Sequence, residues 1–361
     1  MKLAQDSSAN LDSGRNPVRR TLVMAGLAFG VVVFFFLDIF SGSVQIPMSE
    51  VFSILINGKS TSVSWLYIVE KIRIPKAITA ILVGSGLSVS GLQMQTLFRN
   101  PLAGPTELGI TAGAGLGVAA VMLTSGSATS IYAIKQLGIS GSWLIVTMSS
   151  LGAGLVLALV IAIAGRIRDN VIMLIVGVMI GTLTMSLISL WQYFSEPEQL
   201  QEYIMWTFGS VGGVTEYHLY TLSFVVFIGL LLAFISSKTL NALLLGENYA
   251  RSLGLSVRRT RLLILTGTSL LTGSITAFCG PIGFVGIAVP HITRALLGTS
   301  DHRILVPCTC MIGAILLLFS DLIAQLPGTQ SILPINVVTS LLGAPVVIWV
   351  IVSRSSIRNS F

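Results

Sequence analysis

Apolar runs of about 20 residues recur along nearly the whole chain, and most are long enough to cross roughly 30 Å of hydrocarbon as a helix. They fall near residues 21–40, 77–98, 106–124, 143–165, 171–194, 217–236, 261–279, 282–297, 304–326 and 335–352. Backbone N–H and C=O groups find no water in hydrocarbon, so such segments must satisfy them internally, as helices. The chain therefore reads as an all-α polytopic membrane protein with about ten transmembrane helices. The run 282–297 is the weakest. It is short and carries Pro290, His291 and Arg294, which also suits a re-entrant or interfacial helix.

Composition points the same way. Of 361 residues, 53% are hydrophobic and 10% charged, too little polar surface to cover a water-soluble globule of this size. A net charge of +7 would suit nucleic acid if it were clustered on one face, but the cations are spread singly between apolar runs. Topology accounts for them better. With both termini in the cytoplasm and the loops assigned alternately, all of the 21 basic residues except Lys59, Lys71, Arg73, Lys76 and Lys135 fall inside, in keeping with the positive-inside rule. Residues 1–20, with Arg15, Arg19 and Arg20, resemble the start of a signal peptide. The run that follows is too long for a signal core and has no small-residue cleavage site after it, so it is expected to stay as the first anchor. The expected organisation is a cytoplasmic tail over 1–20, a membrane domain over 21–352 with a long internal loop at 238–260, and a second cytoplasmic tail over 353–361.

Several features that suggest chemistry have simpler explanations. Cys279, Cys308 and Cys310 all lie in apolar runs, where cysteine behaves as a small hydrophobe. His218, His291 and His302 have no carboxylate or thiolate at metal-site spacing, so neither a metal nor a cofactor is expected. Gly113, Gly115 and Gly117 lack the preceding strand of a dinucleotide site, and Gly58-Lys59-Ser60 has Ser53 where a phosphate loop needs its first glycine. Instead, Gly109, Gly113 and Gly117, and likewise Gly177 and Gly181, follow the small-residue spacing of close helix contacts in lipid. Asp38 and Asp321 are intramembrane acids and therefore candidates for a proton relay. No Ser/His or Glu/His constellation suggests a hydrolase, and no catalytic residue is expected.

Three blocks of motif carry a more specific signal. The first runs from Arg73-Ile-Pro-Lys76 through Gly84, Gly86, Gly91, Gln93 and Gln95 to Arg99-Asn-Pro-Leu-Ala-Gly-Pro105. The second comprises Leu245-Gly-Glu-Asn-Tyr-Ala-Arg-Ser-Leu-Gly254, Gly280 to Arg294 with Pro290-His291, and Asp301-His-Arg303. The third runs from Asp321 through Gln325 and Leu333-Pro-Ile335 to Leu342-Gly-Ala-Pro345. In this order, over about residues 21–352, they resemble the FecCD-type permeases of type II ABC importers, which take up ferric siderophores, haem and cobalamin.

That resemblance implies a non-enzymatic conduit: a permease that pairs with a second copy, two cytoplasmic ATPase subunits below it, and a periplasmic substrate-binding protein above. Arg73 and Lys76 match positions that dock the binding protein, where fixed cations would set its orientation. Asn100 and Leu102, facing Asn170 and Val171, match a cytoplasmic gate. The loop from Lys238 to Arg261 looks like the coupling segment. Within it Gly246 and Gly254 bracket a short turn, Leu245, Ala250 and Leu253 offer an apolar knob to the ATPase, and Glu247 pairs with Arg251 at i, i+4. Gln325, Ile332 and Asn336 depart from the family pattern, and the first replaces an arginine that contacts the binding protein. The expected cargo is a bulky chelate, ferric siderophore first and cobalamin or haem next. The competing reading is an ion-coupled secondary transporter that works without an ATPase.

Overall fold

A computed structural model of the protein describes residues 17–123, 141–164, 166, 169–325 and 332–358. In chain order its helices are α1 (Pro17–Phe40), α2 (Met48–Asn57), α3 (Val63–Tyr67), α4 (Ile74–Phe98), α5 (Ile110–Met122), α6 (Gly141–Ala164), α7 (Asn170–Tyr193) and α8 (Pro197–Thr207). They are followed by α9 (Glu216–Ile235), α10 (Ser237–Leu244), α11 (Glu247–Ser252), α12 (Val257–Cys279), α13 (Val285–Leu297), α14 (His302–Ala324) and α15 (Ile335–Arg358). Every apolar run anticipated from the sequence coincides with one of these helices. Among the described residues, seven helices are long and apolar enough to cross a membrane.

Two of the remaining helices are too short to cross alone. Both α5 and α13 have 13 residues, and about 1.5 Å of rise per residue gives each roughly 20 Å, short of the hydrocarbon thickness. The doubtful run 282–297 thus turns helical only at Val285, after a loop in which Phe284 takes φ 64°. Other boundaries also move. A π-helical turn over Ile68–Arg73 joins α3 to α4, so helix begins well before residue 77. Pro75 lies just past this turn: its missing N–H and its ring disrupt the ordinary i→i−4 pattern, and the wider π-helical turn before it accommodates them. Helix α15 continues to Arg358, beyond the expected start of the second tail.

Helix α4 is the axis of the bundle, most of its length buried against α12, α13 and α14. Its sequence explains the position. Glycines and serines let neighbouring backbones approach closely, while its polar side chains find partners across the interfaces. A methyl group added at Gly84 would run into the carbonyl of Gly313, and one at Gly91 into the carbonyl of Gly286. Ser85 Oγ donates to the Cys310 carbonyl at 3.0 Å, Gln95 Nε2 to the Ile287 carbonyl at 3.1 Å, and Thr268 Oγ1 to Gln93 Oε1 at 3.2 Å. The glycine spacing read from the sequence works in the same way elsewhere. Gly113 and Gly117 meet the α6 backbone at Gly152 and Met148, and Gly177 and Gly181 receive the turn at Leu108 and Gly109.

Gly91→Leu is expected to separate α4 from α13 at a cost of about 1–3 kcal/mol or more, whereas Gly154→Ala, with open space around it, should be neutral. Thermal unfolding of the detergent-solubilised protein, followed by size exclusion, would distinguish the two.

Candidate functional site

The structure gathers the basic connections at one end of the bundle. There α4 stops at Arg99, which takes the left-handed conformation with φ 49°. The chain then turns tightly: Asn100 Oδ1 accepts from the Leu102 N–H at 2.9 Å, and the Asn100 carbonyl accepts from the Ala103 N–H at 3.1 Å. His291 Nε2 lies 2.8 Å from the Pro101 carbonyl, so this histidine braces the turn from α13. Leu102 is left 40% exposed and Val171, at the start of α7, 60%. The side chain of Asn170 lies outside the described residues. Val171 begins an exposed apolar stripe that continues along α7 through Ile175, Met179, Leu183 and Leu187.

Beside this turn lies the expected coupling segment, formed by α10 and α11. Gly246, with φ +122°, separates the two helices, and Gly254, with φ +82°, ends the second; both values suit glycine far better than any other residue. Leu245, Tyr249 and Leu253 point outward. Ala250 does not join them: it is fully buried against the cluster that includes Leu240, Leu243, Val257 and Leu265. The knob therefore consists of the two leucines and the tyrosine, with Ala250 as its anchor. Glu247 pairs loosely with Arg251 at 3.5 Å and more closely with Arg261 of α12 at 2.9 Å. The long-range partner could not be read from i, i+4 spacing.

Two links join α4 to α10. Arg99 Nη2 donates to the Leu243 carbonyl at 2.7 Å. His302 has its ring nitrogens 2.8 Å from Thr96 Oγ1 and 2.8 Å from Asn241 Oδ1. Asn241 also donates to Asp301 Oδ1 at 2.6 Å. Burial raises the Asp301 pKa, but hydrogen bonds from Asn241 and the Arg303 N–H prevail and leave it below the ordinary carboxylate value. Between the turn and the coupling segment an open groove of about 700 Å³ is lined by Arg99, Asp169, Val171, Leu245, Glu247 and Tyr249 among others. Asp169 caps α7 by accepting from the Val171 and Ile172 N–H groups.

At the opposite end the two cations expected to dock a partner both have engagements within the chain. Arg73 is 4% exposed, and its guanidinium caps the end of α1 by donating to the carbonyls of Ile39, Phe40 and Val44. Lys76 is paired with Asp321 at 2.7 Å, largely buried. Gln325 donates to both acids, at 2.7 Å to Asp321 and 3.0 Å to Asp38. Sequence reasoning named all four residues separately but not their meeting, because they come from three helices. The shorter, neutral Gln325 lets one side chain bridge two carboxylates while Lys76 supplies the cation. A cavity of about 300 Å³ adjoins Lys76 and Asp321. Asn336 Oδ1 accepts from the Gly283 N–H at 2.9 Å. Ile332 is exposed, and nothing in the structure explains it.

A polytopic helical bundle with two short helices among its long ones, and a braced turn beside an exposed two-helix segment at one end, has the architecture of a membrane permease. Comparison with known proteins makes the assignment specific. The FecCD transport family matches residues 30–353, and this chain belongs to it. The vitamin B12 import system permease protein BtuC of Klebsiella pneumoniae is 36% identical over 327 residues, 90% of this chain and 92% of that protein. Its Salmonella typhimurium counterpart is 38% identical over 288 residues, 80% of this chain and 84% of that one. A solved structure described as an inward-facing conformation of a metal-chelate type ABC transporter superposes with a TM-score of 0.77 at 26% identity, covering 90% of this chain and 97% of that one. The protein is thus a multi-pass inner-membrane permease of an ABC importer.

Because Arg73 satisfies two carbonyls at the end of α1 and one in the loop after it, Arg73→Ala is expected to destabilise the protein by about 1.5–3 kcal/mol, the range for hydrogen bonds to a charged group. The loss should appear as a lower melting temperature of the isolated permease, with no binding protein present.

Proposed function

We propose that this chain moves a cobalamin-like chelate from periplasm to cytoplasm by alternating access, using ATP hydrolysed by a separate pair of cytoplasmic subunits. The observation that carries the reading is the attachment of the gate turn to the coupling segment, through Arg99–Leu243 and through His302. A protruding segment bonded to a pathway helix is what an external motor needs if its closure is to move that helix. The exposed knob of Leu245, Tyr249 and Leu253 would seat in the ATPase, and Glu247, Gly246, Ala250, Arg251 and Gly254 would hold its shape. The basic loops at this end support its placement in the cytoplasm.

The pathway requires a second copy of the chain. The apolar stripe of α7 leads upward from Val171, and opposite a symmetry-related stripe it would form a wide duct, closed below by Leu102 and Asn100 with Asn170 and Val171. A duct of this kind offers few charges to trap cargo, so transfer is not slowed by tight binding. At the outer end the substrate-binding protein would sit on a rim whose shape Arg73 and Lys76 maintain from within. As for cargo, the sequence reading placed ferric siderophores ahead of cobalamin. The identity of the matched relatives, named as vitamin B12 permeases over most of this chain, supports the reverse order.

The buried meeting of Asp38 and Asp321 favours a second reading, since paired intramembrane acids mark proton-coupled carriers. Lys76 and Gln325 offer a sufficient structural account of the pair. Proteoliposomes containing the permease, its ATPase and its binding protein are expected to accumulate cyanocobalamin only with ATP, and more readily than a ferric siderophore or haem. Uptake driven by a proton gradient without ATP, and abolished by Asp38→Asn, would establish the carrier reading instead.

A further inference from the structure

Arg99 occupies a position that chemistry ordinarily reserves for another residue. The left-handed residue after a helix is usually glycine, and a side chain there is strained. Arg99 holds φ 49° and ψ 32° nonetheless, and its N–H still reaches back to the Thr96 carbonyl. What the strain secures is the direction of the side chain. Its guanidinium reaches the last turn of α10 and donates at 2.7 Å to the Leu243 carbonyl, which also accepts from the Gly246 N–H at 3.1 Å, at a helix end where a positive charge is favoured.

The neighbouring glycine matters as well. A methyl group at Gly246 would stand 3.3 Å from Nη2, so the hinge between α10 and α11 leaves little more than the room the guanidinium occupies. One residue later in the chain the gate turn begins. Arg99 therefore touches the coupling hinge with its side chain and leads into the gate turn with its backbone, and it lines the open groove together with Val171 and Gly246.

We propose that Arg99 is the positioning residue that makes the gate turn follow the coupling segment, so that movement of α11 is delivered to Asn100 and Leu102. This rests on the importer reading above. Removal of the guanidinium should let the ATPases cycle while the gate fails to respond.

Arg99→Gly is the informative variant, because glycine accepts the left-handed backbone without strain and the fold is preserved. In proteoliposomes with the ATPase and binding protein, the cyanocobalamin moved per ATP hydrolysed is expected to fall about tenfold, the scale of one lost charge-assisted hydrogen bond. ATP hydrolysis should persist, and Arg99→Lys should restore part of the ratio. A readout independent of cargo uses spin labels at Leu102 and Leu245 in a background lacking Cys279, Cys308 and Cys310. Their separation should stay narrowly distributed with and without nucleotide in the parent and broaden in Arg99→Gly. An unchanged label distribution would overturn the proposal, as would an unchanged transport ratio or a parallel loss of hydrolysis and transport. Failure of the parent itself to transport on ATP, with the label result as expected, would count against the importer reading alone.

Discussion

The structure depends on the close approach of backbones around α4. Between helices in lipid there is no hydrophobic gain, since acyl chains are as apolar as leucine, and association rests on packing and on hydrogen bonds between helices. Gly84 against Gly313 and Gly91 against Gly286 supply the packing. Ser85, Gln93 and Gln95 supply the hydrogen bonds. With large apolar side chains at those positions α4 would be a lipid-facing span. With small and polar ones it becomes an axis on which α12, α13 and α14 converge, and its lower end is fixed where a gate can be built.

Much of this was legible in the sequence because the bilayer imposes length and composition locally. The apolar runs marked every long helix, and glycine spacing marked the contact of α5 with α6 and of α7 with the turn before α5. What escaped were arrangements decided by contacts distant in sequence. Arg73 looked like a surface cation because a charge beside a membrane ordinarily reaches for water; only the fold places the end of α1 beside it. Ala250 sits among outward leucines in sequence, yet its small size is what lets α11 lie flat on the core. Glu247 was assigned to Arg251 by spacing, whereas Arg261 approaches it more closely from the next helix. The departure at Gln325 gave no hint that Lys76 would take over the charge balance with Asp321.

The two ends of the bundle are built on different physical terms. At the outer end charge is internalised: Lys76, Asp321, Asp38 and Gln325 form one network, and Arg73 is consumed by backbone carbonyls. Such groups are costly to separate in a low-dielectric setting, so the network favours a fixed shape over motion. At the inner end α4 is tied to α10 by Arg99 to Leu243 and by the His302 bridge from Thr96 to Asn241, and Arg99 borders an open groove. Links of that kind transmit displacement without locking it. A rim that holds its shape and a base whose parts are joined in series is the division of labour that the proposed importer would require.

The same contrast bears on the carrier alternative. A proton relay needs its acids to exchange partners as the protein changes state, and to be reached by water from each side in turn. Gln325 works against such exchange, because one amide group holds Asp38 and Asp321 together while Lys76 neutralises one of them. The segment formed by α10 and α11 lies instead at the far end of α4, remote from both acids. In the importer proposed above, motion starting at α11 would reach the turn at Asn100 through Arg99 before any ionisable group of the outer network, which favours conformational gating over proton coupling as the source of directionality.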